Sequence, residues 1–313
     1  MMKKFIKQEL MYGIYSKNFL ITFILLCALF GIVLFLNYSS VTELYSEYNN
    51  TLTYYEENNI NIEEELAGDY EIELTETGGV ITNPVAYYKN TISRYLYAAS
   101  PKYRLTQLLE SSVLYFPIVF GTLGLLVATN DFRFKTIKLR TVRLNKSKLG
   151  IVKQVSLTIS SLAIMFFALL VAFISGELMY QFLIHDIPIK EFVMDSSAIT
   201  SNSSIFLKFA FAYIIALIFT EIGYTLGILF KNMYAGLILI IAYIIILPNL
   251  KIYDLKNSIF YFGNKTFDFY GVVSINVYED MGFISSLFII LFTLVGSILI
   301  NNMVLNKRSS FEG

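Results

Sequence analysis

The stretch Asp131–Lys153, DFRFKTIKLRTVRLNKSKLGIVK, carries eight Lys/Arg against a single Asp and lies between two long apolar runs. No other part of the chain is as basic. A cationic connection between two apolar segments marks the inner face of a membrane, where loops close to spans collect Lys and Arg. The rest of the sequence is read outward from this stretch.

The chain has 313 residues, of which 56% are hydrophobic and only 15% charged, and its mean hydropathy is +0.60. Ordinary soluble domains carry about 25% charged residues. The shortfall is concentrated in stretches of about 20 residues, enough to cross a hydrocarbon core of roughly 30 Å. Formal net charge is zero, which gives no case for a nucleic-acid partner. The single cysteine, Cys27, lies inside the first apolar run and has no second cysteine to pair with. With His185 the sole histidine, the counts argue against zinc sites and Cys/His catalysis. Intramembrane proteolysis would need paired catalytic groups inside spans, and none are present.

Lys3, Lys4 and Lys7 precede the first apolar run, as in a signal peptide. The run is long, however, and no small-residue cleavage site follows, so it reads as a retained span. Within residues 1–18, Met2, Ile6, Leu10 and Ile14 fall four apart on one helical stripe. This predicts a helix on the inner leaflet, or a plain solvated extension of the first span. The expected spans are 19–36, 112–130, 154–178, 207–230, 234–249 and 283–302.

Residues 37–111 leave the membrane and hold twelve Asp/Glu, four Lys/Arg and eleven tyrosines. Val41, Leu44, Tyr45, Tyr48, Leu52 and Tyr55 continue a helical stripe out of the first span. Tyr70, Ile72 and Leu74 alternate, and Gly78-Gly79 supplies a turn, predicting a hairpin. Asn83-Pro84 reads as a helix start, with Val85, Tyr88, Ile92 and Tyr95 on the stripe that follows. The expectation is a small α/β external domain. Segments 179–206 and 250–282 are also external, while 131–153, Lys231 and the tail 303–313 are cytoplasmic. Six spans with both termini in the cytoplasm place every basic connection on one side.

Inside 131–153, Phe132, Phe134, Ile137 and Leu139 alternate with Arg133, Lys135, Lys138 and Arg140. The apolar positions gather on no single helical face, so periodicity leaves this segment unassigned. Asn130 or Asp131 is a candidate cap for a short helix, and Asn145 or Ser147 for the next. Charge alone supports an anchor that sets topology and binds anionic lipid.

The order Asp131, Thr136-Ile137-Lys138, Arg140, Arg143, then Ser147-Lys148-Leu149-Gly150 and Lys153 resembles the permease subunit of ABC transporters of the ABC-2 type. Lys7-Gln8-Glu9-Leu10 with Ser16-Lys17-Asn18-Phe19 resembles that family's elbow helix. Leu229-Phe230-Lys231-Asn232 resembles its link between spans 4 and 5. Phe134-Lys135 departs from the family, where a glycine often precedes the threonine. The resemblance implies an all-α membrane protein with an ABC-2 exporter-type permease fold. It implies a bacterial plasma-membrane location, a second permease subunit and two copies of a separate ATPase. The loop, Asp131 to Arg140 with Arg143, would be the ATPase-coupling contact. No P-loop, G-x-x-x-x-G-K-[ST], occurs here, so this chain is expected to be no enzyme. ATP and Mg would bind the partner, and the chain itself needs no cofactor.

Glu221 is the acidic residue well inside an apolar run. It lies ten residues before Lys231, about 15 Å at helical rise, which puts it near mid-bilayer. It either lines a substrate path or dimer seam, or is hydrogen-bonded across the bundle to Thr220, Tyr224 or a partner. Gly223-Tyr224-Thr225-Leu226-Gly227 is a small-xxx-small pattern that lets helices approach closely. Gly121 and Gly124 are fainter signals of the same kind. The expected function is an ATP-driven exporter subunit for an antimicrobial peptide, antibiotic or lipid-like substrate, in export or self-immunity. The alternative is a scaffold or sensor that binds a ligand on its acidic, Tyr-rich outer domain.

Overall fold

A computed structural model describes residues 2–75, 78–134, 136, 146–194, 203–246 and 250–307. The α-helices in chain order are α1 (Met2–Tyr15), α2 (Asn18–Glu57), α3 (Ile62–Ala67), α4 (Pro84–Ala99), α5 (Arg104–Glu110) and α6 (Ser112–Arg133). They continue with α7 (Lys146–Asp186), α8 (Ile205–Phe230), α9 (Met233–Ile241), α10 (Leu255–Thr266) and α11 (Phe283–Lys307). One antiparallel hairpin, β1 (Ile72–Thr75) with β2 (Gly78–Ile81), and short 3-10 turns at Ile189–Glu191 and Lys251–Tyr253 accompany them.

Five of these helices, α2, α6, α7, α8 and α11, are long and apolar enough to cross a bilayer. This is the makeup of an all-α, multi-pass membrane protein. The expected fifth span, 234–249, takes a different form. Helix α9 passes at Ala242–Ile246 into a π-helical turn, and residues 247–249 lie outside the described set. Among the described residues, Met233–Ile245 is a shorter apolar helix than the five long ones. A physical reason for the change is visible nearby. The Tyr243 hydroxyl donates to Asp254 Oδ1 at 2.6 Å, and Asp254 caps the next helix by accepting from the Lys256 amide.

At 40 and 41 residues, α2 and α7 are about 60 Å long, so both run well past any membrane. Their far halves, with α4, enclose a second core. Val41, Tyr48 and Tyr55 of α2 meet Val85, Ile92 and Leu96 of α4, Leu183 of α7 and Ile187 just after it. The helical stripes read from sequence are therefore the buried faces. Asn83 caps α4, its side chain accepting from the Ala86 amide, with Pro84 in the first turn. Phe192 stands edge-on to Tyr45 and Tyr48, so the segment after α7 belongs to this core as well.

Two local expectations are corrected. Gly78 and Gly79 do not form the hairpin turn. They pair with Thr75 and Leu74 inside the ladder. Asn130 and Asp131 do not cap a new helix; both are in the last turn of α6. Helix α6 runs on to Arg133 and α7 begins at Lys146, both within the stretch 131–153.

The main core joins α2, α6, α7 and α8. Its tightest contact is α6 on α8. A Cβ on Gly124 would overlap the Thr220 carbonyl oxygen, and one on Gly223 would overlap the Gly121 carbonyl oxygen. A Cβ on Gly227 would meet the Ala128 methyl. Both helices run the same way, so the glycines let two backbones touch along several turns, where packing and not water drives association. Outward faces are apolar and exposed; on α11, Ile284 is 82% and Phe292 68% exposed. Gly124→Ala and Gly223→Ala are expected to lower the melting temperature of detergent-purified protein, each costing about 1–3 kcal/mol by overpacking. Gly31→Ala, where a Cβ has nothing within 4 Å, is expected to leave it unchanged.

Candidate functional site

The two ends of the bundle differ in chemistry. At the basic end, α1 folds back on the bundle through a sharp turn, with Lys17 in the left-handed conformation at φ 63°. Gly13 makes the fold-back possible, since a Cβ there would enter the Phe19 ring. Glu9 and Gly13 are buried, and Glu9, Tyr12 and Asn18 face Val127 and Asn130 of α6 and Ser156 of α7 across a small cleft.

Beside this cleft lies a buried ion pair. Lys153 Nζ is 2.7 Å from Asp131 Oδ2, and the two side chains are 6% and 1% exposed. Lys153 also donates to the Val127 carbonyl at 3.2 Å. The other carboxylate oxygen of Asp131 accepts from the Thr136 hydroxyl at 2.9 Å, and the Thr136 amide donates to the Asp131 carbonyl at 3.1 Å. Tyr12 of α1 hydrogen-bonds the Thr136 side chain, and burial pushes its hydroxyl pKa up, with the nearby Asp131 charge acting in the same direction. The first and last residues of the basic stretch thus clamp its base, and α1 closes over the clamp.

The remaining expected contact residues divide. Phe132 is half-buried, and Lys231 Nζ, from the α8–α9 turn, sits 5.9 Å from its ring centroid. Arg133 and Phe134 are exposed, the guanidinium lying 5.4 Å over the Phe134 ring. Asp131 is wholly buried and faces inward. Lys135, Ile137, Lys138, Leu139, Arg140 and Arg143 lie outside the described residues.

In mid-bundle, Glu221 is 5% exposed, and its Oε2 accepts from Asn301 Nδ2 of α11 at 3.0 Å. The Thr220 hydroxyl donates to the Ala216 carbonyl, and Tyr224 is buried in the α6–α8 core. Gly223 and Gly227 lie against Gly121 and Ala128 of α6 within the chain.

At the acidic end, a buried polar cluster has no counterpart in the sequence reading. Arg104 is fully buried, donating to Glu177 Oε2 at 2.8 Å and to the Ala99 and Phe173 carbonyls. Gly176 makes room for it, since a Cβ there would press on the Arg104 stem. One helix away, Lys208 meets Asp268 at 2.6 Å with both side chains buried. Glu110 Oε1 accepts from the Tyr103 hydroxyl and from the Phe269 amide, which holds Phe269 in a left-handed conformation at φ 51°. Burial is the leading cause that raises the Glu110 pKa to about 7. The one available signal was spacing: Arg104, Gln107 and Glu110 recur at three on α5. Among the described residues, no group of His, Cys, Asp and Glu could hold a metal ion.

Comparison with protein-family models, with curated proteins and with solved structures finds no match for this chain.

Breaking a buried pair strands a charge and costs about 3–5 kcal/mol. Asp131→Leu and Lys153→Met are each expected to lower the melting temperature strongly, and the double variant Asp131→Leu with Lys153→Met to recover much of the loss. Thermal scans of the four proteins check this as a double-mutant cycle. Glu110 gives a second test. Its folded pKa lies above the usual carboxylate value, so the folded state holds the extra proton, and its contribution to stability is lost as pH rises through about 7. Melting temperature is expected to fall between about pH 5 and about pH 8, and Glu110→Gln to flatten that slope.

Proposed function

We propose that this chain is the membrane-spanning subunit of an ATP-driven exporter of the ABC-2 type, working in a bacterial plasma membrane. The observation that carries the reading is the clamp at the base of the basic loop. A subunit driven by a separate ATPase has to receive force at a cytoplasmic contact and pass it to several helices. A loop hung from flexible ends would absorb that force. Here the Asp131–Lys153 pair ties the loop base to α6 and α7, Tyr12 ties it to α1, and Lys231 ties it to the α8–α9 turn. Displacement of the loop would move four elements together.

On this reading, the fold is a six-span permease with both termini in the cytoplasm. Helix α9 and its π-turn form a short fifth span, and the α2–α4–α7 core is an external domain. Two permease chains, identical or related, would pair with two ATPase copies that bind ATP and Mg. Arg133, Phe134 and the cationic residues after them would meet the ATPase, where exposed charges set register and speed encounter. Glu221, held by Asn301, would neighbour the path of the cargo. The cargo class that suits an acidic outer domain is a cationic peptide or antibiotic, with a lipid-like molecule as the other class. The scaffold or sensor reading draws less support. Tyr45, Tyr48, Tyr70, Tyr87, Tyr97 and Tyr103 are engaged in ring contacts within the chain rather than arrayed as a free ligand face.

The test is affinity purification from native membranes in mild detergent, followed by an ATP hydrolysis assay. The reading predicts co-purification of a P-loop protein with ATPase activity, and loss of that protein on Lys138→Glu with Arg140→Glu while the permease stays folded. Purification free of any P-loop protein, or retention of it by the double variant, would overturn the reading.

A further inference from the structure

An open apolar groove of about 600 Å³ runs between the α1–α2 turn and α7. Leu10 and Ile14 of α1, Phe19 and Phe23 of α2, and Phe167 and Val171 of α7 are among its lining. Ser160 is the one polar residue that lines it. On α7 the lining extends from Ile159 to Val171, a rise of about 18 Å. One leaflet of hydrocarbon is about 15 Å deep. The groove therefore begins at the basic end, beneath α1, and has the depth of the inner leaflet.

Its rim is charged with one sign. Lys3, Lys7, Leu10 and Ile14 follow one another at four, three and four residues, a single helical stripe. The lysines therefore continue the line of the two groove-lining residues toward the helix start. Lys3 and Lys7 are exposed, and so is Lys17, which adjoins Asn18 and Phe19 at the other edge. The sole acid on α1, Glu9, is buried and turned into the bundle. An apolar slot one leaflet deep under a cationic rim matches an amphiphile with an anionic head.

We propose that this groove is a binding site for one acyl chain of an anionic phospholipid of the inner leaflet, with its phosphate held by Lys3, Lys7 and Lys17. A second copy of the chain is a poorer occupant, because it would bring its own cationic rim against this one. The site would fix the angle of α1, and α1 closes over the Asp131–Lys153 clamp. The proposal requires only that the basic end face the inner leaflet; it does not require that the chain transport anything.

The chain has no tryptophan, so a single introduced one reports locally. Full-length protein carrying Phe167→Trp is reconstituted in phosphatidylcholine vesicles containing brominated-acyl phosphatidylglycerol or brominated-acyl phosphatidylcholine. The phosphatidylglycerol is expected to quench at a lower mole fraction than the phosphatidylcholine. Lys3→Gln, Lys7→Gln and Lys17→Gln are each expected to weaken that preference about fivefold. Leu299→Trp, on the exposed face of α11, is expected to show no preference. Equal quenching by the two lipids at Phe167→Trp, an undiminished preference in the triple lysine variant, or the same preference at Leu299→Trp would each overturn the proposal. Absence of quenching by either lipid would mean that protein fills the groove, and would overturn it too. None of these readings depends on an ATPase, so failure here and failure of the transport reading are separable.

Discussion

The Asp131–Lys153 ion pair is the interaction on which the basic end depends. Burying two charges costs several kcal/mol each before their attraction is counted, and the structure offsets that cost with further hydrogen bonds. Lys153 has the Val127 carbonyl as a second acceptor, and Asp131 has the Thr136 hydroxyl on its other oxygen. What the pair secures is geometry. It joins the last turn of α6 to the second turn of α7, so the polar segment between them leaves and re-enters the bundle at fixed points. Helix α1 can then pack across a defined surface. The fold-back at Lys17 and the glycine at 13 belong to that same arrangement.

Three layers of chemistry follow along the bundle axis. The basic end is ordered by ions and by an overlying helix. The middle is ordered by close backbone contact between α6 and α8, where Gly121, Gly124, Gly223 and Gly227 leave no space for side chains. Glu221 with Asn301 is the polar contact that joins α11 to this pair. The acidic end is ordered by polar contacts again: buried Arg104 with the part-exposed Glu177, buried Lys208 with Asp268, and Glu110 holding the Phe269 turn. A motion begun at one end would pass through a stiff middle to a set of salt bridges at the other. That is a suitable architecture for transmitting force, and α9, which breaks into a π-turn, is the element least constrained to move as a rod.

Features that depend on near neighbours in the chain were legible from the sequence. The α1 stripe, the extension of α2, the Asn83-Pro84 start and the apolar helices all follow from local periodicity or capping chemistry. Misreadings arose where a partner lies far along the chain. Lys153 looked like one cation among eight until the fold brought it to Asp131, 22 positions away. Arg104 drew no reading of its own; its burial depends on Gly176 and Glu177, more than 70 residues on. Glu221 read as an acid in search of a partner, and Asn301 is an ordinary polar residue in an apolar helix. In segment 234–249, the π-turn at Ala242–Ile246 and the bond from Tyr243 to Asp254 had no local signature. The glycine pattern at 223 and 227 was legible as a close contact, but the sequence could not say that its partner was α6 of the same chain.

The central claim is that the basic end receives an ATPase. The most direct measurement is photocross-linking in intact cells from a benzophenone amino acid at Phe134, which is 58% exposed beside the clamp. The account predicts a crosslinked product whose partner carries a P-loop and whose yield falls when Lys153→Met loosens the base of the loop. Crosslinking to lipid or to another copy of the chain, with no P-loop protein captured, would contradict it.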